Sequence, residues 1–191
     1  AAEGATVWVQ DYQLQLVPQM LRKARPDLKI GFFNHIPFPP LEIFAQLPWR
    51  RDIIAGLLGA DLIGFQRPSD TANFLRCVRR FAGHSVRQQQ VHITDEEGNT
   101  YISRAEAFPI SIDVDQITEL AQREDIIERS KQIRRELGNP KVILLGVDRL
   151  DYTKGISHRL KAYGELLEDG RISVEDAALI QVASPSRERV E

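Results

Sequence analysis

Five polar side chains stand just after runs of β-forming residues. Asp11 follows Thr6-Val7-Trp8-Val9, His35 follows Lys29 to Phe33, Arg149 and Lys154 follow Lys141 to Val147, and Arg187 follows Ala177 to Ala183. In open α/β sheets ligands bind outside the carboxyl ends of the strands, so this placement singles them out from the other charged residues. Arg149 and Lys154 carry the strongest signal. They flank the turn Asp148-Arg149-Leu150-Asp151-Tyr152-Thr153-Lys154-Gly155, which ends in glycine and opens a helix. Free N–H groups, the helix dipole and two full charges together suit a phosphate or diphosphate. Asp148 and Asp151 leave a plain alternative, a surface salt-bridge cluster. Arg187, after Ser184-Pro185-Ser186, could hold a second phosphate or simply be solvated.

Asp11 suits hydrogen bonding to sugar hydroxyls, although an aspartate after a strand more often stabilises its own turn or caps the next helix. His35 precedes Ile36-Pro37-Phe38-Pro39-Pro40, whose prolines hold the imidazole at a strand end at little entropic cost. A structural histidine explains it equally well. Asp113-Val114-Asp115 spells the Asp-x-Asp of metal-dependent sugar transferases, but among 13 aspartates about one such pair arises by chance. His84, His92 and Cys77 lack the paired spacing of a zinc site, so neither a metal nor another cofactor is expected. Neither a P-loop nor a Gly-x-Ser-x-Gly elbow occurs.

Positioning these residues falls to alternating strands and helices. Leu14, Leu16, Val17, Met20 and Leu21 recur at helical spacing, with Pro18 tolerated in the first turn and a stop by Arg25-Pro26. Leu41 to Leu47 and Trp49 to Leu58 read as helices and Asp61 to Phe65 as a strand. Ser69 or Asp70 could cap a helix carrying Phe74, Leu75, Val78 and Phe81. The polar stretch from Ser85 to Ser103 has a hairpin tip at Asp95-Glu96-Glu97-Gly98-Asn99. Ala107 to Ile112 reads as a strand and Ile117 to Leu137 as one charged helix, stopped by Gly138-Asn139-Pro140. The order predicts an α/β fold with two doubly wound parallel sheets, joined near Ile110 to Gln116.

Composition narrows the class. With 25 Lys+Arg against 27 Asp+Glu, the net charge of −2 offers no basic surplus for nucleic acid. Hydrophobic residues make up 42% and charged residues 27%, and no apolar stretch approaches the ~18 residues of a membrane span, so neither a nucleic-acid nor a membrane partner is expected. The single Cys77 suits a reducing interior, and the cytoplasm is the expected location. The first residue is alanine and the last stretch, Pro185 to Glu191, resembles a helix start, so a segment of a longer protein is expected.

Four separated motifs occur in order: Val7-Trp8-Val9-Gln10-Asp11-Tyr12, Gly31-Phe32-Phe33-Asn34-His35-Ile36-Pro37-Phe38-Pro39, Val147 through Gly155, and Ser184-Pro185-Ser186-Arg187. Together they closely resemble the trehalose-6-phosphate synthase family of retaining glycosyltransferases. The resemblance implies the GT-B architecture, two Rossmann-like domains with the active site in their cleft, both incomplete here. Residues 1–112 would be the C-terminal part of the N-terminal, acceptor-side domain, and 113–191 the linker helix and start of the donor domain. It implies transfer of glucose, with retention, from a nucleotide-glucose such as UDP-glucose to glucose 6-phosphate, giving trehalose 6-phosphate and a nucleoside diphosphate. By resemblance Asp11 binds the acceptor sugar, His35 contacts the donor glucose, Arg149 and Lys154 hold the donor diphosphate, and Arg187 holds the acceptor phosphate. His35, Arg149 and Lys154 would act in catalysis, without a cofactor, and the full-length protein could form a homo-oligomer.

Gln10 and Gln13 stand where many members carry histidine, and Asn34 where leucine is usual. A buried Asn34 would need hydrogen-bond partners. A glycine-containing loop and further acceptor contacts are expected before Ala1, and acids for the donor ribose after Glu191, so the segment alone should be inactive and either poorly soluble or self-associating. Two other classes remain open: a catalytically silent synthase-like module that binds sugar phosphate for regulation, and a different GT-B transferase or phosphorylase.

Overall fold

Apolar residues alternate along the first three strands, and the alternation decides which face is buried. In β1 (Thr6–Gln10), β2 (Lys29–Asn34) and β3 (Leu62–Phe65), Val9, Ile30, Phe32, Ile63 and Phe65 point to one face and are buried. The strands run parallel, with Val9 opposite Phe32 and Phe32 opposite Ile63. Their connections are α1 (Val17–Ala24), then α2 (Leu41–Phe44) and α3 (Arg50–Leu58), with α4 (Pro68–Cys77) after β3. Right-handed crossovers that always step the same way put these helices on the same face, where Ile54, Leu57, Phe74 and Leu75 complete the core. Trp8, Phe33 and Leu62 belong to the opposite face.

The computed structural model describes residues 1–94, 98 and 100–185. The chain divides into two compact units, 1–112 and 113–191. Unit 1 holds a six-stranded sheet of order β1-β2-β3-β6-β5-β4, where β4 is Ser85–Arg87, β5 Gln90–Thr94 and β6 Thr100–Ala107. β6 lies parallel to β3, whereas β5 and β4 add an antiparallel arm. The sheet is therefore parallel-dominated rather than wholly parallel.

Three local expectations are corrected. The strand expected at Ala107 to Ile112 lies earlier, at β6, because β5 recruits Thr100 to Ser103 as a hairpin partner and the chain is already leaving the sheet at Phe108. The helix after β3 has neither Ser69 nor Asp70 as its cap. Pro68 opens it, and Arg67 is the preceding residue, with Asp70 buried inside the first turn. The single helix expected over Ile117 to Leu137 is two, α5 (Val114–Gln122) and α6 (Glu124–Glu136), because Arg123 adopts an extended backbone (ψ 136°) and pairs in two bonds with Asp125. Asp113 caps α5 through Gln116 N, which gives the Asp-x-Asp match a structural role. Asp95, Glu96, Glu97 and Asn99 of the expected hairpin tip lie outside the described residues.

Unit 2 pairs β7 (Val142–Arg149) with β8 (Ala177–Ser184) in parallel, connected by α7 (Ile156–Glu168). Ala177 and Pro140 are the only buried apolar side chains among its described residues, and Leu145 and Val147 are about two-thirds exposed. A pair of strands with one helix cannot cover both of its apolar faces.

At the amino ends of the unit 1 strands, Arg22 of α1 donates to the carbonyls of Pro26, Leu28 and Gly59 and pairs with Asp61 at 2.7 Å. Asp61 also accepts from Ile30 N, so one guanidinium ties α1, β2 and β3 together. Gly59, at the end of α3, lets α1 come close. Its φ of −69° suits any residue, yet a Cβ there would lie 2.3–2.6 Å from backbone atoms of Pro18 and Gln19. Backbone cannot step aside as a side chain can. Gly59→Ala should destabilise unit 1 by about 3 kcal/mol, within the range for overpacking. Urea unfolding of the variant against the parent measures it, and an unchanged midpoint would contradict the close packing.

Candidate functional site

The carboxyl ends of β1 and β2 are joined by Asp11. Its backbone sits at φ 70°, ψ 167°, a region that essentially only glycine visits without strain. Four hydrogen bonds hold it there. Asp11 N donates to Phe33 O at 2.8 Å, Leu14 N donates to Asp11 O at 3.0 Å, and Oδ1 accepts from Tyr12 N at 2.8 Å and from His35 N at 3.3 Å. The turn-stabilising reading of Asp11 is thus correct for Oδ1. Among the described residues Oδ2 has no partner, which leaves one carboxylate oxygen for a ligand hydroxyl.

His35 follows β2 on a loop whose anchor is Phe38. That ring is 2% exposed and meets Phe65 and Phe74 edge-on at 5.7 and 5.4 Å. Asn73 donates to Phe38 O and Asn34 to Ile36 O, so the loop is fixed by packing and by its own carbonyls. Asn34 is buried on the helix-covered face, and its Oδ1 has no partner. The partners that its burial demands are only half supplied. His35 itself is exposed, stacks at a tilt on Phe33 with centroids 4.7 Å apart, and places Nε2 2.7 Å from Gln10 Oε1. Sequence reasoning missed this pairing. Its only sequence signal is that Gln10 and His35 close two adjacent strand motifs.

Gln10 and His35 stand at the carboxyl end of a groove of about 450 Å³ on the uncovered sheet face, whose floor is Trp8, Phe33, Leu62 and Phe108. Cys77, the lone thiol, is buried on the other side of the sheet. Burial, helped by Glu42, pushes its pKa up to about 11, so it is not a nucleophile at neutral pH.

In unit 2 the acids beside Arg149 and Lys154 are engaged elsewhere. Asp148 accepts from Arg159 Nη1 at 2.8 Å and from Gln181 Nε2 at 3.3 Å, and Arg159 also donates to Gln181 Oε1. Those bonds, Arg159 first, hold the Asp148 carboxyl below its ordinary pKa. Asp151 accepts from Thr153 N and Oγ1 as the cap of a short 3₁₀ turn, Tyr152–Lys154. Gly155 follows in the left-handed region at φ 63°, and α7 starts at Ile156 without a side-chain cap. Among the described residues neither Arg149 nor Lys154 forms an ion pair, and both are exposed. Neither cation is therefore drawn into a salt bridge among the described residues, although Lys154 also helps to lower the pKa of the Asp148 carboxyl electrostatically. Two exposed cations without an ion pair among the described residues, beside an uncapped helix N-terminus, suit an oxyanion ligand. Arg159 and Gln181 were missed in the sequence, where the signal was a glutamine inside an apolar strand. Arg187 lies outside the described residues.

Among the described residues no three His, Cys, Asp or Glu side chains are grouped to hold a metal ion, and no helix is long and apolar enough to cross a membrane. A family model for glycosyltransferase family 20 matches residues 1–191. The chain belongs to glycosyltransferase family 20. Curated relatives include trehalose-6-phosphate synthases of Mycobacterium sp. strain JLS, 57% identical, and Mycolicibacterium vanbaalenii, 58% identical, each over 195 aligned residues. Each alignment covers 100% of this family 20 chain and 40% of the relative, so the chain spans about two-fifths of their length. Among solved structures, the E. coli trehalose-6-phosphate protein bound with UDP-2-fluoro glucose superposes with a TM-score of 0.74 at 33% identity, over 100% of this chain and 41% of that one. A Burkholderia xenovorans UDP-forming α,α-trehalose-phosphate synthase in complex with glucose 6-phosphate gives 0.74 and 33%, over 97% and 40%. The N-terminal domain of Candida albicans trehalose-6-phosphate phosphatase gives 0.72 and 35%, over 97% and 39%. These GT-B neighbours agree with the two-sheet α/β expectation.

The strain at Asp11 is measurable in this family 20 chain. Asp11→Gly and Asp11→Ala both lose the Oδ1 bonds, but only alanine keeps a Cβ in the glycine region. Asp11→Gly should be more stable than Asp11→Ala by about 1–3 kcal/mol in chemical denaturation, the reverse of the usual order away from such positions. Equal stabilities would show that Asp11 is unstrained.

Proposed function

We propose that the full-length protein is an α,α-trehalose-phosphate synthase, transferring glucose with retention from a nucleotide-glucose, UDP-glucose or similar, to glucose 6-phosphate. The observation that carries this reading is the state of Arg149 and Lys154, exposed and, among the described residues, without an ion pair, on a turn that opens a helix. Residues 1–112 would serve the acceptor-side domain, and 113–191 the linker and the start of the donor domain. Relatives solved with a UDP-glucose analogue and with glucose 6-phosphate support the two substrates.

Breaking the glucose–phosphate bond builds positive charge on the sugar and negative charge on the departing diphosphate. Arg149, Lys154 and the N–H groups at the start of α7 stabilise the second charge, the N–H groups being held in place by the helix. Asp11 Oδ2 accepts from a hydroxyl of the acceptor sugar. His35 orients the donor glucose instead of acting as an obligatory base. Arg187 would hold the acceptor phosphate. No carboxylate is assigned as a covalent nucleophile, which agrees with a front-face transfer in which the leaving phosphate helps to take the acceptor proton. Both substrates are phosphorylated metabolites of the cell interior, so the reading places the protein in the cytoplasm.

A second reading, a silent sugar-phosphate-binding module, draws on the likeness to the phosphatase N-terminal domain. Trehalose 6-phosphate formation by the full-length protein, from UDP-glucose and glucose 6-phosphate, separates the two. In that assay Arg149→Ala should lower kcat by roughly 100- to 1000-fold, the scale of losing one preorganised transition-state donor. Near-normal turnover would refute the assignment.

A further inference from the structure

We propose that Gln10 is a positioning residue that fixes His35 as the Nε2–H tautomer and so makes Nδ1 the hydrogen-bond acceptor offered to the sugar. This rests on the reading of His35 as the group that contacts the donor glucose. An amide oxygen has lone pairs and no proton, so the 2.7 Å contact from Gln10 Oε1 requires the hydrogen to be on His35 Nε2. A neutral imidazole has one ring N–H, so Nδ1 is left bare. Among the described residues nothing donates to Nδ1.

The arrangement is set by the sheet. Gln10 is the last residue of β1 and lies opposite Phe33 in the parallel register, so its side chain and the Phe33 ring are neighbours on the uncovered face. His35 leans on that ring at 4.7 Å, and its backbone N–H donates to Asp11 Oδ1. Ring contact on one side and the amide at one end leave the imidazole little freedom to turn. The consequence is directional. A sugar hydroxyl must donate to Nδ1, and the opposite tautomer would present a donor there instead.

The test uses the full-length enzyme with ¹⁵N-labelled histidine and UDP-glucose and glucose 6-phosphate as substrates. In the parent, His35 should show a protonated Nε2 and an unprotonated Nδ1 in long-range ¹H–¹⁵N spectra. Gln10→Leu should give a mixture of tautomers and lower kcat/KM about ten-fold, the scale of one hydrogen bond. Gln10→Glu keeps an acceptor at the same reach and should keep Nε2 protonated, which Gln10→Leu does not. In a His35→Ala background, Gln10→Leu should have no further effect. A protonated Nδ1 in the parent would overturn the proposal, as would equal losses from Gln10→Leu with and without His35. If His35→Ala alone left kcat/KM unchanged, the reading of His35 would fall, and the proposal with it.

Discussion

A carboxylate held where glycine belongs is the constraint on which the candidate site of unit 1 depends. Asp11 must turn sharply as β1 ends, and its φ of 70° costs about 1–3 kcal/mol. Glycine would adopt that backbone freely. Glycine would not supply Oδ1, which ties Tyr12 N behind the turn and His35 N across it. The strain and the hydrogen bonding are therefore one feature, because the backbone that positions Oδ1 against β2 is the one that leaves Oδ2 without a partner among the described residues. His35 is then located from two directions, by Asp11 at its own amide and by Phe38 three residues on.

Phe38 shows how a loop made of prolines acquires a defined position. Pro37, Pro39 and Pro40 limit the backbone but contribute no N–H to hold it. The hydrophobic effect does the holding, with a ring 2% exposed among Phe44, Phe65 and Phe74. Burial of such a ring is worth ~1.5–3 kcal/mol, more than the loop's hydrogen bonds contribute singly. The loop thus points one way into the core and presents His35 the other way to solvent.

Much of this was legible in the residues. Strand ends located Asp11, His35, Arg149 and Lys154 because a parallel sheet brings its carboxyl ends to one edge, and that edge follows from the alternation of strands and helices alone. Pro18 announced the first turn of α1. What was not legible depended on partners distant in sequence. Whether Arg149 was neutralised by Asp148 turned on Arg159 and Gln181, 11 and 33 residues further on, taking that carboxylate first. The antiparallel arm and the early end of β6 depended on which strand Thr100 to Ser103 would pair with, and periodicity does not specify a partner. The break at Arg123 depended on a side-chain pair with Asp125 that a helical pattern of charges conceals.

The two units hold their functional groups by different physics. Unit 1 fixes Asp11 and His35 on a core of fully buried aliphatic and aromatic side chains. Unit 2 buries almost nothing apolar among its described residues, so its turn is positioned by a polar triangle that joins β7, α7 and β8 through Asp148, Arg159 and Gln181. That triangle depends on an ionised Asp148. Its pKa is depressed in the folded chain, so the stabilisation is complete above the ordinary carboxylate pKa and is lost as pH falls through the depressed value. An apolar core has no such dependence. The cations of this turn therefore stay exposed for a reason distinct from burial: a third cation, Arg159, takes the hydrogen-bonded ion pair with Asp148.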